Sequence, residues 1–264
     1  MTKNPLPILL LLCVAFASFM DAVDSAIVNI ILPVLAADFH IDAGSTAWVT
    51  LSYLLTVAGL ILIFGKLADG PHLKGIFLAG FLIFALGSAG CAASPSFAFL
   101  LVSRVVQGVG ASMIIACAPL ICVKFLPKTI LGLSFAVLTA AGSIGFAAGP
   151  AIGGVITELL SWHWVFLINI PIGIISCLFA AKILPKSKAA PQESFDFKGA
   201  VLIFIAVVSG IFCIERLPHI GLHPLIFCTG CLALLALGLF IFHERRTERP
   251  LINLRVFTIP QVVC

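Results

Sequence analysis

The sequence predicts an all-α integral membrane protein, and its composition and its apolar runs carry that prediction. Hydrophobic residues make up 61% of the chain and charged residues 10%, with a mean hydropathy of +1.23. This composition excludes a soluble globular protein. Apolar runs long enough to cross a bilayer as helices occur near residues 8–36, 47–64, 76–93, 97–121, 130–153, 164–181, 199–214 and 224–242. The sequence therefore predicts eight membrane spans with short connections.

The distribution of basic residues predicts the orientation of these spans. Of the 15 Lys and Arg residues, Arg104 lies within a span. If the amino terminus is cytoplasmic, only Arg216 falls in an outside loop and all the others lie inside. Cytoplasmic loops of membrane proteins carry such an excess of Lys and Arg. We therefore predict a multi-pass protein of the cell membrane with both termini in the cytoplasm. The net charge of +4 then reflects orientation and does not indicate nucleic-acid binding.

The first span carries two acidic residues. On a helix, Ser18, Asp21, Ser25 and Asn29 share one face, and Asp24 lies about 60° from Asp21. Acidic residues in the middle of a span are costly and normally face a cavity or a partner, so they indicate a functional site. The alternative is that the first helix starts later and the acids lie at the membrane interface.

The fourth span carries Arg104 and Gln107 on one face, close to Gly108. An arginine at the centre of a span costs about 2.5–3.5 kcal/mol on insertion scales, which indicates a partner inside the protein. The alternative is that its long side chain reaches the outer interface. The helical rise places Arg104 within reach of Asp24, directly or through water. We predict Asp24 as the proton- or cation-binding acid, with Asp21 second, Arg104 as modulator, and Asn29 and Gln107 beside them. The alternative is a fixed charge pair that only holds helices together.

The fifth span contains a stripe of glycines. Gly142, Gly145, Gly149 and Gly153 fall on one narrow face of a helix. Each glycine costs a helix roughly 1 kcal/mol relative to alanine, and close approach of a neighbouring helix offsets that cost in membranes. Pro150 breaks the hydrogen-bond ladder in this span and is expected to kink it. The stripe predicts tight packing against another span.

These stretches together resemble signature motifs of the fourteen-span drug:proton antiporters of the major facilitator superfamily. The similarity covers residues 23–33, 103–111 and 162–173, and the Gly-xxx-Gly-Pro-xx-Gly-Gly string that ends at Gly153 and Gly154. Gly65-Lys66-Leu67-Ala68-Asp69 resembles the loop after the second span, which implies a gating role for Gly65 and Asp69. Gly70, His72 and Leu73 stand where basic residues and a glycine are usual, so the ordinary basic partners of Asp69 are depleted.

The resemblance implies a domain organisation. Residues 1–182 would form the N-terminal six-helix bundle of two inverted three-helix repeats, and 183–198 a cytoplasmic linker. Residues 199–243 would supply two additional transmembrane helices, and 244–264 the start of a connection to an absent C-terminal half. The chain would then be a fragment, or it would pair with a second half-transporter chain or with its own copy. A lone half is not expected to export anything.

The resemblance also implies a function, which is proton-coupled export of small lipophilic compounds, often cationic. The bilayer, the substrate and protons would be the partners, with no nucleic acid, no enzymatic activity and no cofactor beyond the proton gradient. The sequence contains no P-loop. Cys228 and Cys231 have a redox or metal spacing, but they lie mid-span with no histidine or acid close by, so we interpret them as packing residues and predict no metal site. A non-transporting membrane scaffold is the alternative function.

Labelling of introduced cysteines tests the predicted topology. Ser45 and Ser187, each replaced by cysteine after the native cysteines are removed, should react with a membrane-impermeant maleimide from opposite sides. Reaction of both positions from the same side would contradict the predicted orientation.

Overall fold

A computed structural model describes residues 6–185, 195–220, 223–247 and 251. All regular secondary structure in these ranges is helical, and it consists of nine α-helices and a 3-10 turn at Lys128–Ile130. The α-helices are α1 (Leu6–Asp38), α2 (Ala43–Asp69), α3 (Leu73–Ala92), α4 (Phe97–Phe125), α5 (Leu131–Leu159), α6 (Trp162–Leu167), α7 (Asn169–Ile183), α8 (Phe197–Ile220) and α9 (Pro224–Glu244).

The helices provide eight candidate membrane spans, which confirms the predicted fold class. Seven spans are single helices, and the sixth consists of α6 and α7, which are separated at Ile168. Many large apolar side chains are exposed on the outside of the bundle. These side chains are suited to contact with the bilayer, because its core is apolar and about 30 Å thick.

The packing of the first six spans follows a symmetric pattern. α1 packs along α5, and α2 packs along α4. If spans one to three and spans four to six are equivalent repeats, these two contacts are also equivalent. α3 lies against both α4 and α7. This arrangement places α1 and α4 inside the domain, where each carries part of the charged cluster described below.

The glycines of α5 allow that helix to lie directly on α1. A β-carbon added at Gly145 would lie 2.6 Å from the carbonyl oxygen of Phe19, and one added at Gly149 would lie 2.6 Å from the Ala26 β-carbon. At Gly153 the added atom would lie 2.6 Å from the Ile27 side chain. All these distances are too short for a real β-carbon, so the stripe fixes the approach of the two helices.

The part of the glycine stripe that contacts α1 is shorter than the sequence predicts. A β-carbon at Gly142 or at Gly154 would have no neighbour within 4 Å in the described part of the chain. The expectation that Gly142 packs against another helix is therefore wrong, because the contact with α1 begins at Gly145. Pro150 is exposed, and α5 continues through it to Leu159.

The last two spans form a hairpin on the side of α2. α8 contacts α2 and α9 contacts α8. A β-carbon at Gly59 would lie 2.6 Å from the ring of Phe204, so α8 approaches α2 closely there. Near the other end of this contact, the ring of Trp48 lies 5.7 Å from the ring of Phe212, and Arg216 stacks on the same tryptophan at 4.5 Å.

A hydrogen-bonded contact between Asp196 and His243 joins the N-terminal end of α8 to the C-terminal end of α9. His243 Nε2 lies 3.0 Å from Asp196 Oδ1, and the Gly199 amide donates to the same oxygen at 3.0 Å. Burial alone would raise the pKa of Asp196, but the hydrogen bonds from Gly199 and His243 outweigh it and hold that pKa below its usual value. Residues 186–194 of the predicted linker, Ser187 among them, lie outside the described residues, as do 248–250 and 252–264 of the predicted connection.

Replacement of Gly149 by leucine tests the contact between α1 and α5. We expect Gly149→Leu to lower the stability of the protein by about 1–3 kcal/mol, because the new side chain overpacks the contact with Ala26 and Ile27. The measurement is the thermal unfolding midpoint in detergent. Gly154→Leu is the matched control, and it should leave the midpoint unchanged or slightly higher. Equal midpoints for the two variants would contradict the packing.

Candidate functional site

An ion pair between α1 and α4 lies at the centre of the helical domain. Arg104 Nη1 donates to Asp24 Oδ2 at 2.9 Å, and both side chains are 0% exposed. The two residues are 80 positions apart in the chain. Arg104 therefore does not reach the outer interface, and its charge is neutralised inside the protein.

Two amide side chains complete the contacts of Asp24. Gln107 Nε2 donates to Asp24 Oδ1 at 2.9 Å, and Asn169 Nδ2 donates to the same oxygen at 2.6 Å. Gln107 also donates to Ser88 Oγ at 2.8 Å and accepts from Arg104 Nη1 at 2.6 Å. Asn169 is the first residue of α7, so the interruption of the sixth span lies beside the position that contacts Asp24. The carboxylate thus receives hydrogen bonds from α4 and α7.

The guanidinium group of Arg104 has further contacts with α2. Its Nε donates to the Val49 carbonyl oxygen at 3.1 Å, and its Cζ lies 4.2 Å from the centre of the Tyr53 ring. The Phe166 ring centre lies 5.9 Å away. Arg104 Nη2 has no hydrogen-bond partner among the described residues. One donor of the buried cation is therefore available to another acceptor.

We name Asp24, Arg104, Gln107 and Asn169 the charge network. Removal of one member of a buried ion pair costs about 3–5 kcal/mol, because the other charge is left without a partner. Hydrogen bonds that involve an ionised group are roughly twice as strong as neutral ones. The charge network therefore fixes the relative positions of α1, α4 and α7 much more strongly than an apolar contact of the same size would.

Asp21 lies one turn before Asp24 and has different contacts. Asp21 is half-buried, and its Oδ1 accepts a hydrogen bond from the Tyr53 hydroxyl. Tyr53 is 2% exposed, so this contact is inside the domain. Tyr53 thereby contacts both charged centres, Asp21 through its hydroxyl and Arg104 through its ring.

A polar stripe continues from Asp21 along α1. Ser18 and Ser25 are half-buried, and Asn29 is exposed. Asn29 Oδ1 accepts from Thr50 Oγ1 of α2 at 3.2 Å. A stripe of this kind is unfavourable towards lipid, because apolar surroundings do not satisfy polar groups. The stripe is therefore suited to a water-filled cavity or to a further protein surface.

At the opposite end of α2, Asp69 is paired with a lysine that is distant in sequence. Lys124 Nζ lies 3.1 Å from Asp69 Oδ1 and also donates to the Asp69 carbonyl oxygen. Lys124 thus provides a cation where residues 70–73 lack the usual basic residues. Lys74 instead donates to the carbonyl oxygens of Ala181 and Leu184 at the C-terminal end of α7, at 2.6 Å each. A β-carbon at Gly65 would meet no described residue within 4 Å.

Several functional candidates were not found from the sequence alone. Asn169 and Tyr53 contact the two acids, but one is an ordinary amide after an apolar run and the other is the single tyrosine of the chain. The polarity of both residues within predicted spans was the available signal. Among the described residues, no group of three or more His, Cys, Asp and Glu residues could hold a metal ion. Cys228 and Cys231 lie exposed on α9.

A buried charge network inside a bundle of membrane-spanning helices is typical of a membrane transport protein. The chain belongs to the Major Facilitator Superfamily, whose family model matches residues 14–244. Its relatives include multidrug resistance proteins named MdtD, one from Pectobacterium atrosepticum and one from Salmonella dublin. The first is 38% identical over 245 residues, which are 92% of this chain and 52% of the relative. The second is 35% identical over 253 residues, which are 94% of this chain and 53% of the relative. The chain therefore spans about half the length of the curated relatives it matches.

Solved transporter structures have the same fold. A peptide transporter in complex with sulfate superimposes with a TM-score of 0.66 at 16% identity, over 90% of this chain and 53% of that one. A bacterial homolog of the human lysosomal transporter Spinster, in an inward-facing unoccupied conformation, gives 0.60 at 15% identity, over 94% and 64%.

Replacement of Arg104 by glutamine tests the charge network. We expect Arg104→Gln to destabilise the domain by about 3–5 kcal/mol, because Asp24 loses its counter-ion. The measurement is the unfolding midpoint in detergent. The double variant Asp24→Asn with Arg104→Gln should recover part of the loss. The control Lys124→Gln removes a partly exposed ion pair and should cost at most about 1 kcal/mol. A similar, small effect of both single variants would show that the pair is not a main constraint.

Proposed function

We propose that the chain forms the first half of a proton-coupled exporter of small lipophilic compounds, cationic ones among them, in the cell membrane. The observation that carries this proposal is the charge network with the polar stripe beside it, both within spans that are otherwise apolar. Charged residues at such depth mark ion and substrate pathways in transporters. The names of the curated relatives support multidrug compounds as the substrate class.

The two inner helices provide the coupling element of this proposal. In transporters built from repeats, substrate and coupling ions bind near the middle of the bilayer, where the repeats meet. α1 carries Asp21 and Asp24, and α4 carries Arg104, so both acids lie close to one buried cation. Binding of a proton at an acid of α1 would change the electrostatic balance that holds α1 against α4. The change in helix position that follows would link proton movement to exposure of the substrate site.

Alternating access requires a second half. We place it against the side of this domain on which α5 and the polar stripe of α1 are exposed. Most of α5 outside its glycine stripe is exposed, and so is part of the polar stripe of α1. A second half could be supplied by the same polypeptide, by another chain or by a second copy. The distribution of basic residues supports a cytoplasmic location for both termini of the eight-span chain. The conversion of Asp69 and Lys124 between paired and separated states would provide a gate at the cytoplasmic end.

Neutralisation of Asp24 tests the coupling role. The chain is joined to the second half of the Pectobacterium atrosepticum relative and reconstituted into vesicles with an imposed proton gradient. We expect Asp24→Asn to abolish proton-driven efflux of a lipophilic cation, because Arg104 loses its counter-ion and the charge balance between α1 and α4 changes. The protein should still insert and remain monodisperse.

Asp38→Asn is the matched control on the same helix. Asp38 accepts a hydrogen bond from the Trp162 indole at 2.9 Å near the end of α1, far from the charge network, so this variant should keep its efflux. Normal efflux by Asp24→Asn with an unchanged pH profile would overturn the proposed coupling role.

A further inference from the structure

Two acidic residues stand one helical turn apart in α1, and their contacts divide them into two types. Asp24 is fully buried, whereas Asp21 is half-buried. Asp24 faces α4 and α7, and Asp21 faces the Tyr53 hydroxyl of α2. An exchange of protons or substrates needs an acid that solvent and ligand can reach. The contacts therefore indicate which of the two acids can exchange a proton or a substrate.

Asp24 has little capacity for an additional ligand. Its Oδ2 accepts from Arg104, and its Oδ1 accepts from both Gln107 and Asn169. A proton or a substrate cation at Asp24 would have to displace at least one of these donors, and the displaced donor would remain buried without a partner. Loss of a hydrogen bond by a buried group costs about 1–3 kcal/mol, and more when the group is charged. Asp24 is thus suited to remain the ionised counter-ion of Arg104.

Asp21 has the capacity that Asp24 lacks. In the described part of the chain, the Tyr53 hydroxyl is the single side chain that hydrogen-bonds to it. Because Asp24 and Arg104 neutralise each other, an ionised Asp21 has no counter-ion of its own among the described residues. A bound proton or the positive group of a substrate would supply the missing charge.

In the part of the chain that the structure describes, no other charged side chain is placed to fill that role. Among the helices packed against α1, α2 brings Tyr53 and α4 brings Arg104 to this position. Of the remaining ionisable residues of these helices, six lie near the helix ends, namely Lys66, Asp69, Lys124, Glu158, His163 and Lys182. The other three are cysteines with buried side chains, namely Cys117, Cys122 and Cys177. The thiol of Cys177 hydrogen-bonds to the Leu78 carbonyl of α3 and does not face α1's polar stripe.

We propose, on the basis of the proposed function, that Asp21 and Tyr53 form the site that exchanges a proton for a lipophilic organic cation, while Asp24 stays ionised. In the first state Asp21 is a neutral carboxylic acid. When the cation binds, the acid releases its proton to water on the accessible side, and its carboxylate pairs with the cation. Both states have the same net charge within the site. The Tyr53 hydroxyl orients the carboxyl group, and the polar stripe of Ser18, Ser25 and Asn29 continues the path.

This proposal reverses the order in which the sequence pattern ranks the two acids. It also distinguishes cationic substrates from neutral ones, because a neutral compound does not need the negative charge of Asp21. Cationic compounds should therefore compete with a proton at this site, and neutral compounds of similar size should not.

Dicyclohexylcarbodiimide provides the test, because it modifies protonated carboxyl groups in apolar surroundings. The complete 264-residue chain in detergent is treated with the reagent, and peptide mass spectrometry then locates the modification. We expect modification of Asp21 and not of Asp24, with a rate that falls as pH rises. Tetraphenylphosphonium at about ten times its Kd should slow the reaction about tenfold by mass action. A neutral aromatic compound of similar size should not slow it.

Two variants control the experiment. Asp21→Asn should remove the modification from this peptide, and Tyr53→Phe should keep Asp21 as the modified residue with a changed dependence on pH. Modification of Asp24 in place of Asp21, no modification of either residue, or no protection by the cation would overturn the inference. This outcome is independent of efflux, so loss of the coupling role in the Asp24→Asn transport assay and loss of the Asp21 site can be told apart.

Discussion

The ion pair between Asp24 and Arg104 is the constraint on which the helical domain depends. Both charges are completely removed from solvent, so neither is tolerated without the other. The pair positions α1 against α4, and Asn169 adds α7 to the same contact. A polar centre of this kind requires many partners to be in place at once. It therefore specifies one arrangement of the inner helices, which apolar packing alone would leave less well defined.

The opposite side of α1 is fixed in a different way. Glycines at 145, 149 and 153 let the backbone of α5 lie on α1 at distances that no side chain would permit. α1 is thus held by electrostatics on one face and by close backbone packing on another. Close packing of this kind leaves few intermediate positions for a helix. In the proposed function, that combination would link the binding of a proton to a movement of α1.

The sequence predicts the fold well and the site in part. Eight apolar runs identify the spans, since a bilayer requires about 20 apolar residues in each helix. Asp24 and Arg104 stand out because charges within spans are rare. The partners of Asp24 are not predictable in the same way, because Asn169 lies 145 positions away and only the folded chain brings it close. For the same reason the pattern ranks Asp24 before Asp21 without their contacts. It also cannot show that Lys124 pairs with Asp69, or that a β-carbon at Gly142 would meet no described residue within 4 Å.

Infrared difference spectroscopy on the folded chain tests the central claim most directly, because it distinguishes a carboxylate from a carboxylic acid. The signal of Asp24 is identified by its loss in Asp24→Asn, and spectra are compared across the pH range in which the protein stays folded. The account predicts that Asp24 gives carboxylate bands throughout that range, as the permanent counter-ion of Arg104. A carboxylic acid C=O band that disappears in Asp24→Asn would show that Asp24 itself carries a proton, and it would contradict the account.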